Sequence, residues 1–465
     1  MKYHIVTLGC PKNTVDSEGM DSLLSAEGHE AVTTVDDADV IIVNTCSFIA
    51  AARAETLGVL QELAERKRPG QRLIAAGCMA QSHPTEVAAV SGVDATLGTQ
   101  QWVQISDLVG RLAQTNGGRP SERATVTIPL VPAAVGGQPV SYADWRTKQI
   151  RRTRSTPSAY LKISDGCNLR CAFCTIPSFK GDMRSKPVEA VLAEAQELVA
   201  QGTREIILVA QHLTDYGRDL GLRDGLATLL EALCQVTPPD IWIRLMYAYP
   251  HGISERLIAT MASHPQICHY LDMPLQHAHP ATLRRMRRPP DTERTLRLIA
   301  ELRAAMPDIA IRSTFIVGYP GETTTEFQAL LEFLRAAQLD RVGSFRYSRE
   351  PGTPAAELPD QVRPQVIERR WHELMRVQQA ISYARNQRWL DRVITVLIEG
   401  NGVADDGRPI SVGRSFRDAP EIDGQVFVWG AFAAGQMIPV RVTQATEYDL
   451  WGEAVQLQYH DLRGR

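Results

Sequence analysis

The stretch Lys162-Ile163-Ser164-Asp165-Gly166-Cys167-Asn168-Leu169-Arg170-Cys171-Ala172-Phe173-Cys174-Thr175-Ile176-Pro177 runs from the end of an apolar strand into a loop that carries three cysteines. Their spacing is C-x3-C-x2-C. Three thiolates this close together suit a cluster of several irons, because neighbouring corners can each take one sulfur. A cubane has four corners, so one iron is left open to bind substrate, much as a catalytic zinc keeps an open position. A zinc site completed by a fourth ligand from elsewhere is the alternative that spacing leaves open. The strand before the loop, 159–164, begins a long alternation. Further strands read at 205–211, 241–247, 269–273, 309–317 and 341–347, with helical stretches at 187–201, 225–235, 254–263, 292–305 and 324–337 between them. Six strand–helix units predict an incomplete parallel (β/α) barrel of the TIM type, with its active site at the carboxyl ends of the strands. The cysteine loop follows the first of those strands.

Upstream, one pattern occurs three times. A β-branched or apolar run ends in a small residue and a cysteine: Ile5-Val6-Thr7-Leu8-Gly9-Cys10, Val40-Ile41-Ile42-Val43-Asn44-Thr45-Cys46 and Leu73-Ile74-Ala75-Ala76-Gly77-Cys78. Helical stretches follow the first two, at 17–27 and 50–66, so the segment reads as βαβαβ with a doubly wound parallel sheet. The steps of 36 and 32 residues each hold one strand, one helix and turns, which brings three distant cysteines to one rim of that sheet. A Gly- and Pro-interrupted linker follows, with one short strand candidate at 124–130. It ends in the basic cluster Arg146, Lys148, Arg151, Arg152 and Arg154, read as solvated linker in preference to a nucleic-acid site. Beyond a helix at 365–387 the texture changes to short β-rich runs at 393–398, 424–429, 437–442 and 454–458, the pattern of a small antiparallel barrel. The expected modules are 1–112, a linker 113–152, a barrel 153–385 and a β-barrel 386–460.

The chain of 465 residues has room for about three domains. Apolar residues at 44% and charged residues at 22% fit a globular protein with ample core. Fifty basic and 53 acidic side chains leave a formal charge of −3, which excludes binding of nucleic acid by bulk positive charge. No apolar run reaches the length of a membrane-spanning helix, and Met1–Cys10 is too short and too soon interrupted for a secretory signal. The expected compartment is the cytoplasm, where the eight cysteines are thiols or metal ligands rather than disulfides.

C-x3-C-x2-C after the first strand of a (β/α) barrel resembles the radical S-adenosylmethionine enzymes, and Phe173 before the last cysteine fits the usual form of that motif. Leu8-Gly9-Cys10-Pro11-Lys12-Asn13, Asn44-Thr45-Cys46-Ser47-Phe48-Ile49 and Ala76-Gly77-Cys78-Met79-Ala80-Gln81 narrow the resemblance to the methylthiotransferases, whose radical domain and C-terminal TRAM barrel follow in the same order. The resemblance covers essentially the whole chain. It implies two 4Fe–4S clusters, the radical-generating one on Cys167, Cys171 and Cys174 and an auxiliary one on Cys10, Cys46 and Cys78. The open iron of the first would chelate the amino and carboxylate groups of S-adenosylmethionine, whose one-electron cleavage gives a deoxyadenosyl radical. A second S-adenosylmethionine would give the methyl group, and the auxiliary cluster would hold the sulfur to be transferred.

Some branches of the family modify adenosine in transfer RNA, and one modifies an aspartate of a ribosomal protein. Leu271-Asp272-Met273-Pro274-Leu275-Gln276-His277-Ala278, Tyr347-Ser348-Arg349-Glu350-Pro351-Gly352-Thr353-Pro354, the segment from Gly413 to Asp423 and Glu447-Tyr448-Asp449-Leu450-Trp451-Gly452 look like the ribosomal branch. The implied substrate is the β-carbon of an aspartate in small-subunit ribosomal protein 12, free or in the assembled subunit, with a one-electron reductant and a sulfur donor as further partners. Residues 388–465 hold eight arginines, no lysines and eleven acidic residues, a balance that repels phosphate and attracts a basic protein. Glu421 and Asp423 in this acidic module are the expected substrate contacts. The alternatives are a transfer-RNA adenosine methylthiotransferase, a non-enzymatic iron–sulfur electron carrier and a zinc-stabilised RNA-binding module. Carriers hold each cluster with four cysteines, which two triads do not provide. One departure is Asp165, where glutamate is more familiar in the family.

The remaining candidates carry competing readings. Ile316-Val317-Gly318-Tyr319-Pro320-Gly321-Glu322-Thr323 resembles the family's glycine-bearing cofactor segment, so Phe173, Gln211, Gly318, Gly321 and Glu322 are candidate S-adenosylmethionine contacts. A tight strand-to-helix turn explains the two glycines equally well. Gln211 and His212, at the end of the second barrel strand, point toward the expected cofactor site. His277 and His279 read as structural, and Cys234 and Cys268 as buried core residues.

Overall fold

Val40-Ile41-Ile42-Val43 and Leu73-Ile74-Ala75-Ala76 are apolar at every position, a sequence that suits a parallel strand covered on both faces. In a computed structural model, which describes residues 1–114, 126–127, 144–148 and 150–455, both runs are fully buried strands. The first sheet contains β1 (Lys2–Thr7), β2 (Glu30–Ala31), β3 (Val40–Thr45), β4 (Arg72–Gly77), β5 (Ala95–Gly98) and β6 (Val126–Thr127). All pairings are parallel and the order is β2-β1-β3-β4-β5-β6. That order reverses between β1 and β3, the switch point where doubly wound sheets bind ligands. Cys10 and Cys46 emerge there, and Cys78 directly follows β4. The short strand expected at 124–130 is β6, a parallel edge of this sheet rather than an element of a free linker. Most of the remaining 113–152 segment lies outside the described residues.

The second sheet has six parallel strands: β7 (Ser158–Lys162), β10 (Glu205–Val209), β11 (Trp242–Leu245), β12 (Ile267–Asp272), β13 (Ala310–Val317) and β14 (Arg341–Arg346), in the order β14-β13-β12-β11-β10-β7. Between the first two lies a small antiparallel ribbon of β8 (Ser164–Asp165) and β9 (Arg184–Ser185), which closes the cysteine loop. Alternation along the strands separates two cores. Leu161, Ile206, Leu208, Ile243 and Leu245 pack on the sheet's own helices. Tyr160, Ile207, Val209, Met246 and Tyr270 face inward and share one core with Tyr3, Val15, Met20 and Trp102 of the N-terminal domain. The first domain is thereby seated on the open barrel.

The C-terminal module is a closed barrel of β15 (Val393–Val403), β16 (Pro409–Ser415), β17 (Val426–Trp429), β18 (Met437–Ala445) and β19 (Leu450–Ala454), joined as β15-β16-β17-β19-β18. It is the small antiparallel barrel expected, with one parallel pairing, β17 with β19. A ring with an odd number of strands cannot alternate direction at every step. The run expected at 454–458 falls mostly outside the described residues, where β19 has already ended. No helix among the described residues is long and apolar enough to cross a membrane.

The loop between β16 and β17 corrects the expected role of Asp423. Its carboxylate is buried, accepts from the Tyr270 hydroxyl at 2.6 Å and from the Ala419 amide at 3.0 Å, and pairs with Arg312 at 3.4 Å. A side chain enclosed by its own chain cannot meet a substrate protein. Glu421 is exposed and left-handed at φ 68°, so it remains available, but it stands alone on a loop whose neighbouring carboxylates Asp418 and Asp423 are taken by Arg341 and Arg312. The basic cluster is likewise not all solvated linker. Arg152 is buried and joins Glu18 of the first domain (3.0 Å) to Glu194 of the second and to the Tyr160 carbonyl (2.8 Å).

Candidate active site: two cysteine triads and the ion network that joins them

The N-terminal triad is assembled by residues next to each cysteine. Gly9 has φ +93°, and a Cβ there would lie 2.8 Å from Cys46 Sγ; Gly77 has φ +97°, and a Cβ there would lie 2.2 Å from Asn44 Oδ1. Only glycine lets these strand ends close on one another. Asn13 donates to the Leu8 carbonyl (2.8 Å) and the Thr45 carbonyl (3.1 Å), and its Oδ1 stands 3.5 Å from Cys78 Sγ. Thr45 Oγ1 receives the Met79 amide at 3.1 Å, and Thr56 holds the Cys46 carbonyl at 2.9 Å. Three segments far apart in sequence are thus tied to one another by buried hydrogen bonds. Burial raises the thiols of Cys46 and Cys78, the latter to about 12, and the neighbouring cysteines raise them further.

The second triad lies on a loop pinned at four points. The Cys167 amide donates to the Gly181 carbonyl (3.0 Å), the Ala172 amide to the Met286 carbonyl (3.0 Å) and the Cys174 amide to the Cys171 carbonyl (3.1 Å). The Met183 amide donates to Asn168 Oδ1 (3.0 Å). Gly166, at φ +83°, is again obligatory because a Cβ would lie 2.3 Å from the Asp182 carbonyl oxygen. Burial pushes Cys167 up to about 11 and Cys174 up to about 12, with Cys171 adding to both and Arg288 opposing. The Arg288 guanidinium is 3.9 Å from Cys171 Sγ, lies over the Tyr249 ring at 4.4 Å and donates to the Pro274 carbonyl at 2.6 Å.

A buried ion network joins the two loops. Asp165, just before Gly166, takes Lys180 Nζ at 2.9 Å, Lys162 Nζ at 3.5 Å, Gln211 Nε2 at 2.6 Å and its own loop's Gly166 amide at 3.1 Å. Asp16, on the helix Pro11–Ala26 that begins at Cys10, pairs with Lys162 and with Lys180 (3.5 Å). Lys180 is also the cation that most offsets the burial of Cys78. Burial opposes the charge of Asp165, but the two lysines win and hold its carboxyl well below the usual range. Replacing glutamate by aspartate here keeps the charge this network uses.

Of the candidate cofactor contacts, Gln211 is at the strand end with Nε2 on Asp165 and a buried Oε1 that has no partner among the described residues. Phe173 packs on the cluster of Ala172, Met286, Tyr319 and Ala355, which accounts for its place in the loop. In the segment after β13, the candidate cofactor segment, the side chains are tied to their own chain. Both oxygens of buried Glu322 are used: one accepts from the Gly318 (2.7 Å) and Tyr319 (3.2 Å) amides, the other from Arg370 (2.8 Å). Gly318 has φ +76°, and a Cβ would lie 2.3 Å from Ile367 Cγ1; Gly321 has φ +74° beside Arg285. These residues form the turn that packs against helix Pro364–Gln387. His277 is neutral because burial pushes it down to about 3, and its Nδ1 accepts from the His279 amide. His279 caps the helix Pro280–Arg285. Cys268 is buried and Cys234 half-buried, each apart from the triads.

Sequence reasoning missed Asp16, Lys162, Lys180, Arg288 and Tyr249. Lys162 alone gave a signal, a lysine at the end of an otherwise apolar strand. All eight cysteines are free, and among the described residues no three His, Cys, Asp or Glu side chains are gathered closely enough to hold a single metal ion. Three thiols per triad, spaced apart but within one another's field, are a donor set that fits a polynuclear iron–sulfur cluster.

Comparison with known proteins agrees with this layout. Residues 2–98 match the family described as "Uncharacterized protein family UPF0004", residues 161–334 the Radical SAM superfamily and residues 392–455 the TRAM domain. A solved radical S-adenosylmethionine methyltransferase, TsrM from Kitasatospora setae, shares the fold at a TM-score of 0.58 and 16% identity, over 76% of this chain and 73% of that one. "Ribosomal protein uS12 methylthiotransferase RimO" of Chloroflexus aurantiacus is 82% identical over 98% of this chain and 100% of its own length. Its counterpart in a Roseiflexus species is 68% identical over 100% and 99% of the two chains. With that identity sustained from one end to the other, the chain belongs to the ribosomal protein uS12 methylthiotransferases of the radical SAM superfamily.

Proposed function

We propose that this chain replaces the β-carbon C–H of an aspartate in small-subunit ribosomal protein uS12 by C–S–CH3. Cys167, Cys171 and Cys174 would hold one 4Fe–4S cluster and Cys10, Cys46 and Cys78 a second. When bound, the clusters and S-adenosylmethionine supply one-electron chemistry, sulfur and a methyl group, which no acid or base on the chain could provide at an unactivated carbon. The chain's own work is placement. Asp165 and Gln211 fix the start of the second loop, and Arg288 sets its positive charge against Cys171. Asp16, Lys162 and Lys180 fix that loop against the first triad while keeping water out of the joint, since both lysines are buried. Two S-adenosylmethionine molecules, a one-electron reductant and a sulfur donor complete the requirement, and the setting is the cytoplasm.

The observation that carries this reading is the pair of cysteine triads at the carboxyl ends of two parallel sheets, joined by buried ion pairs. The excess of acid in residues 388–465 favours a basic ribosomal protein over transfer RNA. Mass spectrometry of uS12 treated with anaerobically reconstituted enzyme tests it. Methylthiolated aspartate is expected from the wild type. With Cys10, Cys46 and Cys78 changed to Ala it should vanish while reductive cleavage of S-adenosylmethionine persists. Methylthiolated adenosine in transfer RNA with unmodified uS12 would overturn the proposal.

A further inference from the structure

Two residues beyond Cys10, Lys12 is buried, at 8% exposure, with its ammonium 3.6 Å above the centre of the Tyr247 ring. Among the described residues it has no ion-pair partner. The carboxylate in its field, Asp272, is already engaged: Oδ1 takes Arg312 at 2.8 Å and Oδ2 takes the Tyr247 amide at 3.1 Å. Buried cations are ordinarily paired with a carboxylate; Lys12 has the Tyr247 ring and a hydrogen bond to that side chain, with the Cys10 thiol nearby, but no carboxylate of its own, which leaves room for an anion. Tyr247 is itself unusual. It follows β11 at the carboxyl end of the second sheet, at φ 64°, a conformation that a bulky residue adopts only when its surroundings impose it. The Leu213 amide on its carbonyl and Asp272 on its amide impose it here. The thiol of Cys10 also lies in the field of Lys12, while Lys180 is the cation that offsets the burial of Cys78.

Resting on the reading that the substrate is an aspartate, we propose that Lys12 binds the side-chain carboxylate of that aspartate, with the Tyr247 ring as its floor. Lys12 then sets specificity: its place on the turn after Cys10 brings the carbon next to the carboxylate toward the sulfur-bearing triad. A neutral amide of the same shape would leave the ammonium buried and unpaired, so asparagine is rejected.

The test uses full-length reconstituted enzyme and uS12 carrying either Asp or Asn at the modified position. Equilibrium binding without S-adenosylmethionine is measured alongside turnover. Wild type is expected to prefer the Asp form by about tenfold or more, the scale of a charge-assisted hydrogen bond. Lys12→Gln should bind the two forms within about twofold, with iron content unchanged, and Lys12→Arg should restore the preference. An Asp-over-Asn preference in Lys12→Gln equal to that of wild type overturns the inference. So does loss of about half the iron in that variant, which would assign the lysine to its cluster. Wild-type enzyme that leaves uS12 unmodified would instead overturn the functional reading itself.

Discussion

Glu205, the first residue of β10, is fully buried between two guanidiniums from different modules. Arg244 of β11 donates to one oxygen at 2.6 Å, Arg414 of β16 to the other at 2.5 Å, and Ser158 adds a hydroxyl at 2.8 Å. Both arginines continue into the C-terminal module, Arg244 to the Phe416 carbonyl (2.6 Å) and Arg414 to the Asp418 carbonyl (2.9 Å). Burial alone would raise the Glu205 carboxyl, but the two arginines overcome it and hold it down to about 2 from an ordinary 4.5. That difference corresponds to about 3 kcal/mol at neutral pH, near the ~3–5 kcal/mol lost when one partner of a buried pair is removed. Because the native value is depressed, the contribution is complete above about pH 4.5 and disappears as the pH falls through about 2. Glu205→Ala leaves two buried cations facing each other across the seam. The seam should then open as a local unit, with amide exchange at neutral pH rising about a hundredfold in β16 and the following loop to Asp423, and little change in β3 or β4. Exchange in that loop within about threefold of wild type would refute the idea that this carboxylate clamps the two modules.

Changing Cys167, Cys171 and Cys174 together to Ala should lower reconstituted iron from about eight to about four per chain, and loss of all iron would show the first triad is not an independent site. Gly318→Ala should lower the thermal midpoint, since its Cβ would sit 2.3 Å from Ile367 in a left-handed backbone at a cost of about 1–3 kcal/mol, and trimming Ile367 to Ala should recover part of the loss; an unchanged midpoint would contradict the packing. Glu322 is raised to about 7 by burial, against the opposing pull of Arg370 and the Gly318 and Tyr319 amides. Its contribution is therefore full below about pH 4.5 and lost as the pH rises through about 7, so helix Pro364–Gln387 should be better protected from exchange at pH 5.5 than at pH 8. Glu322→Gln should flatten that difference, and an identical pH dependence in both proteins would refute it.

The cysteines were legible because their signal is local: each follows a β run directly, and strand ends in parallel sheets meet on one rim. Not legible was any contact whose partner lies far along the chain. Nothing near Gly318 and Glu322 in sequence announces that helix Pro364–Gln387 is laid against them with Ile367 and Arg370. Asp423 reads as surface acid because its neighbours in sequence are acidic, yet its partners Tyr270 and Arg312 lie more than a hundred residues upstream. Arg152 sits among solvent-like basic residues and is buried by Glu18 and Glu194 from two other domains. The acidic excess of the C-terminal module survives this burial, because Arg414 and Arg417 of the same module are buried along with Asp418 and Asp423.

The triads belong to two separate sheets, so loop sequence alone cannot set the distance between them. It follows instead from how the helix Pro11–Ala26 lies on β7, and that contact is made of charge as well as apolar surface. Asp16 on the helix and Asp165 on the loop each engage both Lys162 and Lys180, four groups with no slack in pairing. Withdrawing any one would strand a buried charge, so the network resists sliding in a way that an apolar contact does not. Arg53 paired to Glu350, whose carboxylate also takes the Ala50 amide at 2.9 Å, fixes a second point of the same interface near Cys46. Two pinned points prevent the first domain from rocking on the barrel. Transfer between groups held on different domains needs such a joint, because a misplacement of about 1 Å is enough to lose most of the advantage of holding reactants together.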